Sequence, residues 1–213
     1  MESHVKICGL MRPEDVRTSI EAGASYLGFI VEAPSKRRLS VSEAALLSAP
    51  VKNIIPRVAV TVNADDGLLT KIMRDMAPDY IQCHGDEDPK RVAEIAAFFS
   101  VKTIKAVPVA QERDMKTAET FVGASDFVLF DAKPPHGSNV RGGHGIAIDW
   151  DMIARAPLPK TFALAGGLNP QNVRTAMTKT RAPILDVSSG VEARPGVKDP
   201  QKIAAFMDAV KKV

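Results

Sequence analysis

The 213 residues carry 28 Lys and Arg against 25 Asp and Glu, and 45% of them are hydrophobic, enough for one sizeable core in a single domain spanning 1–213. The near-neutral balance of +3, with one short basic run (Lys36-Arg37-Arg38) and no aromatics interleaved in it, excludes nucleic acid as an expected partner. Apolar runs are too short for a membrane span, and the N-terminus enters its first strand without a basic hydrophobic leader, so a soluble, cytoplasmic protein is expected.

The first element is the strand 5–8, Val5-Lys6-Ile7-Cys8, closed by Gly9. Alternation puts Lys6 and Cys8 on one side, and the glycine lets the backbone leave the sheet tightly. Further short runs rich in Val, Ile, Leu and Phe follow at 26–31, 55–62, 80–83, 101–107, 127–130, 161–164 and 184–187, making eight strand candidates.

Helical spacing lies between them. Leu69, Ile72, Met73 and Met76 mark one buried face, and Ile203, Phe206, Met207 and Val210 another. Asp88-Pro89, Asn169-Pro170 and Asp199-Pro200 read as helix starts, each pairing a side-chain cap with a residue that needs no amide hydrogen. The stretch 133–145, with Pro134-Pro135 and several glycines, reads as a mobile loop after the sixth strand.

Eight alternations of an apolar strand with a helix predict an α/β fold, a single-domain (β/α)8 barrel. The alternative, an open doubly wound sheet, normally carries GxGxxG after its first strand, and Cys8-Gly9 leads into no such motif.

In a barrel the C-terminal ends of the strands carry the chemistry. Those ends here hold Cys8, Arg37, Gln82, His84, Asp131, Gly166-Gly167, Asp186 and Ser188-Ser189-Gly190. The glycine-containing loops after strands seven and eight suit a phosphate, through unobstructed backbone amides at Gly166, Gly167, Ser188, Ser189 and Gly190. Asp131 ends an otherwise apolar run, a setting that favours the uncharged acid. Cys8 acts as a base only as a thiolate, which a cation such as Lys6 would favour. An acid and a base on different strands suit an isomerisation of a phosphorylated small molecule. The plainer readings are that Cys8 is a packed small hydrophobe, that Asp131 serves a turn, and that Lys36-Arg37-Arg38 is a solvated face. Cys83 reads as core. Neither the two cysteines nor the four histidines have metal-site spacing, so no metal and no cofactor are expected.

Seven motifs lie in order along the chain: Lys6-Ile7-Cys8-Gly9-Leu10, Gly28-Phe29 with Ser35-Lys36-Arg37, Gln82-Cys83-His84-Gly85-Asp86 and Leu129-Phe130-Asp131 are the first four. Gly142-Gly143-His144-Gly145 with Asp149-Trp150, Ala165-Gly166-Gly167-Leu168 and Asp186-Val187-Ser188-Ser189-Gly190-Val191-Glu192 complete the set. Together they resemble the phosphoribosylanthranilate isomerase family of tryptophan biosynthesis over nearly the whole chain.

The resemblance implies an Amadori rearrangement with Asp131 as general acid, Cys8 as general base and Arg37 on the anthranilate carboxylate. Gln82, His84 and Asp186 would be further substrate contacts, the glycine loops would hold the phosphate, and the protein would be a monomer or homodimer. Three positions depart from the family pattern: Met11 for threonine or serine, the second loop Glu32-Ala33-Pro34-Ser35-Lys36-Arg37, and His144 for threonine or serine. The related isomerase of histidine biosynthesis needs aspartates ending strands one and five, where this chain has Cys8 and Val107-Pro108. A silent scaffold barrel would be expected to have lost Cys8 or Asp131.

Overall fold

A computed structural model describes residues 3–132 and 149–211. Eight parallel strands form a closed ring: β1 (His4–Ile7), β2 (Tyr26–Val31), β3 (Arg57–Thr61), β4 (Tyr80–Cys83), β5 (Lys102–Val109), β6 (Phe127–Ala132), β7 (Phe162–Leu164) and β8 (Ile184–Val187). Each pairs with the next. Closure is made by β1, whose Lys6 is in register with Tyr26 of β2 on one side and Asp186 of β8 on the other.

The helices cover the ring: α1 (Pro13–Glu21), α2 (Val41–Ser48), α3 (Asp66–Asp75), α4 (Pro89–Phe99), α5 (Glu112–Glu119), α6 (Trp150–Arg155), α7 (Val173–Thr180) and α8 (Pro200–Lys211). The expected barrel is therefore observed, and a strand buried on both faces explains why its residues read as unbroken apolar runs. None of the helices is long and apolar enough to cross a membrane among the described residues.

Two cores result. The larger lies between sheet and helices, around Ile7, Leu27, Phe29, Ile81, Phe130 and Phe206. The smaller fills the ring with Val58, Val60, Ile104, Ala106, Leu129, Ala163 and Ile184. At the N-terminal mouth the rings of Tyr26, Tyr80 and Phe127 pack mutually at 5.8–6.4 Å and close the floor. Among the described residues the ring interior is thus solid below its C-terminal end, and within the ring the space for a ligand is at the upper rim.

Two of the three helix starts expected from an Asp-Pro or Asn-Pro pair are capped as read. Asp88 Oδ1 accepts from the Arg91 amide at 2.7 Å and Asp199 Oδ1 from the Gln201 amide at 2.9 Å, as capping requires. Asn169 instead caps a separate turn, accepting from the Gln171 and Asn172 amides, and α7 begins only at Val173. Strand β5 runs past its expected end through Pro108. Beyond Lys105 only β6 continues alongside it, an edge condition that tolerates proline. Three short strands carried no apolar signal: Arg38–Leu39 beside β2, and the antiparallel pair Glu192–Arg194 and Val197–Lys198 after β8.

Candidate active site

One cavity of about 720 Å³, including its open mouth, occupies the C-terminal rim. Cys8, Arg37, Gln82, His84, Asp131, Gly166, Gly167, Asp186, Ser188 and Ser189 all line it, and Gly190 stands directly behind them in the β8 loop. The sequence-derived candidates, drawn from six separate segments, therefore converge.

On one wall Cys8 follows β1 immediately, anchored where its amide donates to Val187 O at 2.9 Å. Gly9 turns the chain away with φ +74°, and a Cβ there would sit 2.5 Å from Arg37 Cδ. The thiol is 6% exposed. Burial pushes it above the ordinary thiol range; Lys6 opposes that and Asp186 adds to it. Lys6 Nζ, buried beneath, donates to Asp186 Oδ1 at 2.9 Å. Burial works against its charge, but Asp186 and Cys8 together hold the ammonium above its ordinary value. Gly28 makes room for both groups: a Cβ there would lie 2.9 Å from Cys8 Sγ and 3.0 Å from Lys6 Nζ.

On another wall Asp131 is not the isolated carboxyl that its apolar strand suggested. Its Oδ2 lies 3.3 Å from His84 Nε2, and its Oδ1 accepts from the Ala132 amide at 2.8 Å. Gln82 Nε2 is 2.9 Å from His84 Nδ1, which makes Nδ1 the acceptor and leaves the hydrogen on Nε2 to be given to Asp131. Gln82 Oε1 is buried with no partner among the described residues. An acceptor so placed on the cavity wall is matched by a ligand hydroxyl.

The basic run divides. Lys36 and Arg38 are exposed, whereas Arg37 is buried, correcting the solvated-face reading for that residue. Its Nε and Nη2 donate to the two Glu192 carboxylate oxygens, each at 2.7 Å, so the Nη1 edge is what remains for a ligand. Lys198 Nζ reaches Glu192 Oε1 at 3.0 Å and Ser188 O at 3.1 Å. Burial depresses the Lys198 ammonium, while Arg37 and Lys198 overcome burial to keep Glu192 below the usual carboxylate range. Sequence reasoning missed Lys198 and the bridging role of Glu192. The only signal was a charged, two-residue strand before the Asp199 cap.

The third wall is backbone. Gly166 and Gly167 both adopt positive φ, +81° and +66°. Among the described residues the amides of Gly166, Gly167, Ser189 and Gly190 donate to no protein acceptor, and such a group of free amides suits an anion. Gly190 packs so closely that a Cβ would collide with Leu168 O and lie 2.9 Å from Leu168 C. Cys83 is a core thiol, fully buried and pushed up to about 12 by burial. The expected loop 133–145, His136 and the motif containing His144 lie outside the described residues. Among the described residues no group of acidic, histidine and cysteine side chains has the arrangement of a metal site.

Residues 5–209 match the model of the family described as N-(5'phosphoribosyl)anthranilate (PRA) isomerase. The chain belongs to that family. An N-(5'-phosphoribosyl)anthranilate isomerase of Parvibaculum lavamentivorans is 44% identical over 214 residues, covering all of both chains. The crystal structure of phosphoribosyl anthranilate isomerase from Thermotoga maritima superposes with a TM-score of 0.88 at 35% identity, covering 99% of this chain and 100% of that one. A further crystal structure of a phosphoribosyl anthranilate isomerase, in complex with reduced 1-(o-carboxyphenylamino)-1-deoxyribulose 5-phosphate, gives 0.85 at 34% identity, with the same coverage.

Proposed function

We propose that this protein isomerises N-(5-phosphoribosyl)anthranilate to 1-(2-carboxyphenylamino)-1-deoxyribulose 5-phosphate in tryptophan biosynthesis. The observation that carries the reading is the convergence, in one cavity, of a thiol, a carboxyl, a guanidinium edge and a set of free amides. Each answers one part of such a substrate. The amides of the β7 and β8 loops take the phosphate, and Arg37 Nη1 takes the anthranilate carboxylate. Gln82 Oε1 accepts from a sugar hydroxyl, and Asp186 keeps one carboxylate oxygen toward the substrate.

Asp131, carrying a proton, gives it to the ribose ring oxygen as the C1–O bond breaks and the nitrogen lone pair closes an iminium. Cys8 thiolate then removes the proton from C2. The C–H electrons form C1=C2 and neutralise the iminium, giving an enolamine. Protonation at C1 and loss of the enol proton yield the ketone. C1 is reduced and C2 oxidised within one molecule, so the electrons balance without an external acceptor. Because the working pair carries one proton, on Asp131 and not on Cys8, kcat/KM is expected to follow a bell in pH.

The test is steady-state loss of substrate fluorescence with freshly generated N-(5-phosphoribosyl)anthranilate and purified protein. Saturable turnover supports the reading; no turnover by a folded protein overturns it. Arg37→Lys keeps the charge but loses the planar fork, and is expected to raise KM about tenfold or more with a smaller change in kcat. An unchanged KM would move the carboxylate contact elsewhere.

A further inference from the structure

A buried ion pair at the centre of a barrel needs a reason. Lys6 is 1% exposed within a ring filled mainly by aliphatic side chains over an aromatic floor, and its carboxylate partner Asp186 is itself a cavity residue. Desolvating such a pair costs about what the attraction returns, so an apolar pair of similar volume would support the fold equally well. What the charges do have is a neighbour. Lys6 Nζ and Cys8 Sγ together occupy the space that a Cβ at Gly28 would fill, the one carried by β1 and the other by the residue just after it.

We propose that Lys6 is a positioning residue for Cys8: its ammonium, aimed by Asp186, makes the buried thiol ionisable, while Asp186 restrains it. The charged groups facing the thiol are Lys6 from its own strand, Asp186 from β8, Lys198 from the hairpin after β8 and Arg37 from the second loop. Arg37 and Lys198 share the single carboxylate of Glu192, and Lys6 is matched by Asp186. Three basic groups thus stand against two carboxylates, so ionisation of Cys8 would balance the set when all three carry their protons. Lys6 and Asp186 consequently act on Cys8 with opposite signs. A merely structural pair would not do so, since losing either member would harm the site in the same direction.

This deepens the isomerase reading, in which Cys8 is the base, but its test does not depend on turnover. Iodoacetamide modification of Cys8, followed by mass spectrometry of the Cys8 peptide to set Cys83 aside, is measured from about pH 7 to about pH 11. Lys6→Met is expected to move the half-maximal pH upward and slow modification at about pH 8 roughly tenfold, the effect of one pKa unit. Asp186→Asn, whose amide oxygen can still accept from Lys6, is expected to move it downward and speed modification by about threefold to tenfold. The double variant removes both charges together, returns toward the parent and tests the idea should Lys6→Met fold poorly. Rates within twofold of the parent in the single variants, shifts in the same direction, or a double variant no closer to the parent than either single would overturn the proposal. Failure of substrate turnover in the parent would instead overturn the isomerase reading and leave this result standing.

Discussion

The Asp131→Asn variant is expected to lose about 10²–10⁴-fold in kcat, with Cys8→Ala falling in the same range, the usual contribution of a positioned proton donor or acceptor. Asparagine preserves the volume of a residue that packs at the end of β6, so folding should be little changed. Its chemistry is another matter. Asp131 accepts two N–H groups, from His84 Nε2 and from the Ala132 amide, one on each oxygen. Asparagine has one acceptor oxygen, so its amide nitrogen must face one of those donors. Relief requires His84 to change tautomer, yet Gln82 holds Nδ1 as an acceptor at 2.9 Å. The variant therefore loses the transferable proton and disturbs the chain of contacts behind it. Steady-state kinetics with a thermal melt as control would check this; near-normal turnover in a folded variant would remove Asp131 from the role of acid.

Gly190→Ala is expected to raise KM about tenfold or more and to lower stability by about 1–3 kcal/mol, the usual range for overpacking. The constraint is contact, because Gly190 is not among the residues with positive φ. The new methyl would meet Leu168 O and C and lie 3.0 Å from Asn169 Cα, all backbone, so no side chain can swing away. The β7 and β8 loops must part, and the free amides belong to both. Inhibition by inorganic phosphate is expected to weaken in parallel with KM. An unchanged KM would show that the anion site tolerates a wider spacing.

The barrel was legible because its strands are buried on both faces, so their period is masked but their apolar runs stand out between helix caps. Local chemistry was legible as well: Cys8 and Lys6 share a face because strands alternate, and the glycine loops read directly as backbone donors. Pairings across the ring were not. Lys6 with Asp186 and Arg37 with Glu192 join residues 180 and 155 positions apart, and no periodicity within a segment announces such a partner. Asp131 illustrates the same limit, since its run looked wholly apolar while its partner His84 lay two strands away in the ring. At Asn169 the capping signal was real but served a turn, because the first fitting amides belong to residues before the helix.

Ring closure has a temporal consequence. Of the eight strands β1, which leads directly into Cys8, is made first and its neighbour β8 last, so during synthesis β1 has one open edge until about 180 further residues have followed. Bringing such distant segments together is the slow kind of contact in folding. The ammonium buried beside the thiol finds its counter-ion only at that step, so in the half-made barrel Cys8 stands in an unfinished electrostatic setting. Ionisation of that thiol, followed during refolding, would accordingly report the sealing of the ring and not the earlier docking of helices.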